Sequence, residues 1–135
     1  MSPDLSLQKA LLARLRGDAG VLALVALDAM RDGQALPQIF PSILLGEGQW
    51  LREGLTVSSR HRRIYSTLHV WTKSMPDARA IADAVVSAID AVPLEIEGGH
   101  EAVSIVIRDC RFLRDPDGAT SHGVITVDSL IEVAS

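Results

Sequence analysis

Four histidines, His61, His69, His100 and His122, have the widest chemical repertoire in this chain. Metal binding would call for His-x-x-x-His or Cys-x-x-Cys spacing, because a helical turn or tight loop then delivers paired ligands to one ion. Neither spacing occurs, and no metal site is expected. His69 stands beside Trp71 in a β-branched stretch and reads as a structural side chain with satisfied partners. Cys110, the single cysteine, lies on an apolar strand face, where a free thiol behaves as a small buried hydrophobe rather than a nucleophile. Gly46-x-Gly48 follows a strand, yet Leu51 occupies the place of the third glycine of a dinucleotide fingerprint, so the pair reads as a turn. With no P-loop and no Gly-x-Ser-x-Gly elbow, no catalytic or cofactor-binding residue is expected, and the chain reads as a non-enzyme.

The remaining candidates suit interaction rather than catalysis. Arg60, His61, Arg62 and Arg63 form one basic cluster, able to meet phosphate, an acidic protein surface or only water. Trp50 lies in a polar, glycine-flanked stretch with Glu47 and Arg52, and a large aromatic with few apolar neighbours marks an interaction surface. Arg108, Asp109, Arg111, Arg114, Asp115 and Asp117 give mixed charge around a turn, suited to ion pairing between copies or to solvation of the turn. A nucleic-acid module using Arg60, Arg62 and Arg63 with Trp50 and Trp71 as stacking groups is the alternative of a different class.

The elements that position these residues follow from periodicity and punctuation. Ser2 and Pro3 start a helix whose apolar face is Leu7, Leu11 and Leu15, widened by Leu5 and Leu12, and Asp18 caps a short second helix through Val21, Leu22 and Val25. Residues 31–41 read as a connecting loop leading to a first strand at Ser42-Ile43-Leu44-Leu45, which Gly46-Glu47-Gly48 terminates. A long, mobile loop to Arg63 then precedes a second strand with Ile64, Leu68 and Val70 on one face and Tyr65, Thr67, His69 and Trp71 on the other. Ser74 and Asp77 frame the start of a helix with Ala78, Ile81, Ala82, Val85 and Ile89 on its stripe. In the next strand Val103, Ile105 and Ile107 share a face, and the apolar phase then passes to Cys110 and Phe112, which predicts a β-bulge near Arg108 or Asp109. The turn Asp115-Pro116-Asp117-Gly118 leads into a last strand with Ile125, Val127, Ile131 and Val133 on one face. The fold class is α+β: helices on a four-stranded antiparallel or mixed sheet, as a single domain over residues 1–135.

Composition bounds the rest. In 135 residues, 47% hydrophobic and 22% charged, there is enough apolar surface for one core, and the profile of a disordered chain is absent. The longest apolar run, residues 21–27, is far short of the roughly 20 residues of a membrane-spanning helix, so no membrane partner is expected. The N-terminus lacks a secretory pattern and the lone cysteine forms no internal disulfide, pointing to synthesis in the cytoplasm. A formal net charge of −4 argues against a general nucleic-acid binder.

Taken in order, the helix over residues 7–15, the strand Ile43-Leu44-Leu45-Gly46-Glu47, the segment Leu68-His69-Val70-Trp71, the helix Ile81-Ala82-Asp83-Ala84-Val85 and above all Arg111-Phe112-Leu113-Arg114-Asp115-Pro116-Asp117-Gly118 with His122-Gly123 resemble the DUF3168 family. That family is similar to tail-completion or tail terminator proteins of long-tailed phages and phage-like gene transfer agents. The resemblance implies a homo-oligomeric ring, a hexamer, at the head-proximal end of the tail of a virion or phage-like particle. It further implies that the ring stops polymerisation of the tail tube protein, joins head-completion or stopper proteins, and lets DNA pass through its lumen without specific binding. A head-tail connector that does not set tube length is the nearest alternative function.

Overall fold

A computed structural model of the chain describes residues 1–33, 37, 39–54 and 60–134. Ser2 and Asp18 cap helices as their positions predict. The Ser2 hydroxyl accepts the Leu5 N–H at the start of α1 (Pro3–Arg16), and the Asp18 carboxylate accepts the Val21 N–H at the start of α2 (Ala19–Leu22). Leu7, Leu11, Leu15 and Val21 are fully buried, whereas Leu5 turns outward at 43% exposed and does not widen the apolar face as expected.

The fold class is α+β with one mixed sheet, and a short fifth strand joins the four that were expected. Strand β1 (Met30–Asp32) falls at the start of the stretch expected to be a connecting loop, and pairs in parallel with β2 (Ser42–Glu53) through Met30↔Ile43. A strand of three residues is too short to show a period of two in the sequence. The sheet order is β1-β2-β3-β5-β4, where β3 is His61–Thr72, β4 is Glu101–Arg114 and β5 is Ser121–Glu132, every pair after the first being antiparallel. Helix α3 (Met75–Asp90) crosses from β3 to β4, and its stripe of Ala78, Ile81, Ala82, Val85 and Ile89 closes the core against Leu68, Val70, Ile125 and Val127.

Two departures on the strands matter for function. Gly46-Glu47-Gly48 does not end β2: the register shifts between Leu45 and Gly48, and the strand continues to Glu53. This is a bulge, at which glycine is at home because the chain kinks and approaches its neighbour closely. A Cβ on Gly46 would lie 2.5 Å from the His69 ring. The long loop expected between Gly48 and Arg63 is therefore largely strand, and the expectation of mobility, as far as it concerns residues 55–59, lies outside the described residues. On β4 the predicted bulge is present between Ile107 and Asp109, and a second lies between Ala102 and Ser104. At the second bulge Val103 is 50% exposed rather than packed with Ile105 and Ile107, while Ala102 packs on the core.

Candidate interaction surfaces

The hairpin of β2 and β3 sorts the basic candidates onto two faces. Cross-strand partners share a face, so Trp50↔Ile64 and Arg52↔Arg62 lie on the helix side of the sheet, while Leu51↔Arg63 and Glu53↔His61 lie on the other. On the helix side Trp50 is 44% exposed and the Arg62 guanidinium sits 4.1 Å from its ring centroid in a cation–π stack. On the opposite side Arg63 is held within the subunit, its guanidinium 2.9 Å from Glu53 Oε1 and 2.8 Å from Asp128 Oδ1. Hydrogen bonds to Asp128 and Glu53 raise its pKa, so it is a fixed charge tying β2, β3 and β5 together rather than a free contact. Arg60 is exposed just before β3, its carbonyl accepting the Val133 N–H at 2.6 Å.

The bulge at Gly46 builds a cluster that the sequence left scattered. His69 Nε2 lies 3.1 Å from Glu47 Oε1 and His69 Nδ1 lies 2.7 Å from His122 Nε2, while Trp71 stacks on His122 at 3.8 Å between centroids. A carboxylate only accepts, so His69 Nε2–H donates to Glu47, leaving Nδ1 to accept from His122 Nε2–H. His69 is thus the satisfied structural histidine that its place beside Trp71 suggested. Burial most of all, then His69 and Arg111, hold His122 below its ordinary pKa of 6.5 against the opposing pull of Asp115 and Glu47. A group whose folded pKa is lowered contributes stability above its unfolded pKa and loses it as pH falls through the folded value. Melting temperature should therefore fall as pH drops below about 6.5, and His122→Phe, which keeps the stack on Trp71, should flatten that slope. Equal slopes for the two proteins between pH 7.5 and 5 would contradict this role.

The other candidates close the hairpin between β4 and β5. Asp117 accepts from Ala119 N, Thr120 N and the Thr120 hydroxyl at 2.8, 2.9 and 2.6 Å, and these bonds hold its carboxyl below the usual range. Asp115 accepts the Asp117 N–H at 3.2 Å, and Gly118 supplies the positive φ of 74° that the turn requires. Both carboxylates serve the turn itself, while Arg114 at the end of β4 is exposed. Cys110 faces the core beside Phe112 with its thiol pKa raised by burial and by Asp109, which suits packing and not attack.

The sequence did not reveal the edges. Among the described residues β4 has no strand neighbour on its outer side, and β1 covers only residues 43–45 of β2, leaving residues 46–53 open at the opposite side. Beside the start of β4, residues 89–94 and 102–105 line a groove of about 410 Å³ in which Val92 and Val103 are 59% and 50% exposed. Edge exposure depends on strand order, which local patterning does not carry.

A family model described as tail completion protein gp17 matches residues 9–132. Among solved structures, a chain of the virion of a native gene transfer agent particle superposes with a TM-score of 0.83 at 20% identity, covering 96% of each chain. The bacteriophage SPP1 gp17 protein superposes with a TM-score of 0.60 at 24% identity, covering 93% of this chain and 88% of that one. No curated protein matches the chain. The two superpositions establish the fold.

Proposed function

Because this chain belongs to the tail completion protein gp17 family, which makes it a structural component of a virion-type tail, we propose that it assembles as one domain into a ring that caps the tail tube and joins it to the head. The observation that carries the ring is the pair of open edges. Unpaired N–H and C=O groups along a strand favour pairing with another chain. Here two such edges lie on opposite sides of one sheet, and β2 and β4 run in opposite directions. A second copy in the same orientation therefore presents its β2 antiparallel to this β4, and a head-to-tail contact of that kind closes into a ring when the rotation per subunit allows. The resemblance of the last hairpin to the DUF3168 family supports the same reading, with six subunits.

Capping calls for no catalysis in this reading: a closed ring seated on the tube protein buries the face on which the tube would grow, and presents a new surface to the head-completion protein. The excess of acidic over basic residues suits a lumen through which DNA passes without being retained, since each neutralised phosphate would add salt-dependent affinity. The experiment that tests the reading is electron microscopy of particles produced without this protein. Tail length reports the capping half, and head attachment the joining half.

A further inference from the structure

Resting on the reading of this chain as a joint between tube and head, we propose that Arg52, Arg60 and Arg62, beside Trp50 at the far end of the β2–β3 hairpin, form an anion site. Its ligand is a carboxylate on an acidic segment of a neighbouring protein of the particle, a chain other than a second copy of this one.

Register brings the arginines together. Arg52 and Arg62 are direct cross-strand neighbours on the helix side, and Arg60 stands two residues before Arg62 at the entry to β3. Like charges directly opposite one another cost stability. Among the described residues none of Arg52, Arg60 and Arg62 has an ion-pair partner, whereas Arg63 on the other face has two. With His61 and Val133 the three line a cleft of about 100 Å³. That is well below the roughly 300–1,000 Å³ of a small-molecule pocket and admits a single carboxylate, whose two oxygens match the fork of a guanidinium. Trp50 stands next to Arg52 along the same face with Arg62 stacked on its ring, and Trp and Arg are the residue types enriched where binding energy concentrates.

The opposite face of the sheet decides where the anion comes from. At the same end it carries the row Glu53↔His61↔Glu132↔Glu101, three carboxylates of which Arg63 pairs with one. A DNA duplex bears a charge about every 1.7 Å of its axis, so it would meet that acidic row together with the arginines, and the net charge of −4 opposes its approach. One carboxylate on a polypeptide engages the arginines alone. The same row argues against a second copy. Joined edge to edge in the same orientation, a copy keeps its strand carboxylates Glu53, Glu132 and Glu101 on the face away from Arg52 and Arg62. The anion is therefore left to a different protein that the ring meets.

Charge reversal separates docking from folding, because Arg52→Glu removes a like-charge pair and keeps the stack of Arg62 on Trp50. The purified variant carrying Arg52→Glu and Arg60→Glu should melt no earlier than the native chain and sediment as the same oligomer; if it melts early, Arg52→Glu alone takes its place. Particles produced with the variant should nonetheless be completed at least about tenfold less often than native ones, by electron microscopy. Selection for restored particles should recover Asp or Glu replaced by Lys or Arg in another protein of the particle. Complete particles at the native yield would overturn the site and leave the ring standing. A variant that sediments as a monomer where the native chain is a closed oligomer would assign the arginines to a contact between copies and overturn the inference. A native chain that retains a short DNA duplex at low salt, with a variant that does not, would assign them to phosphate, with the same consequence. Restoring changes that never fall on an acidic residue would overturn the carboxylate. Particles that stay intact without this protein would overturn the joint reading and the site together.

Discussion

Ile81→Asp is expected to abolish the cooperative fold. Ile81 is 2% exposed at the centre of the α3 stripe, flanked by Ala78, Ala82 and Val85 and pressed onto the sheet. Truncating an isoleucine in such a place costs about 2–5 kcal/mol. An uncompensated buried carboxylate adds several kcal/mol more, against a total stability of roughly 5–15 kcal/mol for a domain. The start of the helix is set by Ser74, whose hydroxyl accepts the Asp77 N–H at 3.3 Å. A thermal scan should show no cooperative transition for Ile81→Asp, while Asp83→Lys, on the exposed side of the same helix, should melt within a few degrees of the native chain. A soluble Ile81→Asp protein with a sharp transition would contradict the packing of α3.

Arg14→Met is expected to cost about 3 kcal/mol, although the residue looks like an ordinary surface arginine in the sequence. Its guanidinium donates to the carbonyls of Ala88, Val92 and Pro93 at 3.0, 3.0 and 3.2 Å, with Ile89 O at 3.4 Å, so that α1 caps the C-terminus of α3. Helix α3 has no glycine at its end and no basic residue in its last turn, and Arg14 supplies donors to its last-turn carbonyls at Ala88 and Ile89 and to those of Val92 and Pro93 just beyond it. Methionine preserves the stem's packing and removes the donors, isolating the capping effect. The melting temperature should fall by roughly 10 °C for a chain of this size. A melting temperature unchanged within 2–3 °C would show that water satisfies these carbonyls equally well.

Positions governed by local rules were legible in the sequence. Ser2, Ser74 and Asp18 cap because a short polar side chain reaches back to an orphan N–H, and the Asp115–Gly118 turn forms because proline and glycine preset its dihedrals. The bulge near Asp109 was legible because a one-residue change of phase in the apolar pattern has few other causes. The stretch from Gly46 to Glu53 was misleading, since glycine marks both the end of a strand and a bulge within one, and only the room that His69 requires separates the two. For the same reason Trp50 and the 60–63 cluster were read as loop residues, although Trp50, Arg62 and Arg63 stand on paired strands, on two different faces. The histidine cluster, the Arg14 cap and the open edges were illegible because each depends on strand order or on contacts between residues far apart in the chain.

The claim that this protein closes the tail tube is tested most directly by electron microscopy of particles made in its absence, with tail length and head attachment scored on the same images. The tails are expected to run past their normal length with a broad distribution and to carry no heads. Tails of normal length that merely lack heads would reduce the role to a connector, and intact particles with normal tails would contradict both capping and joining.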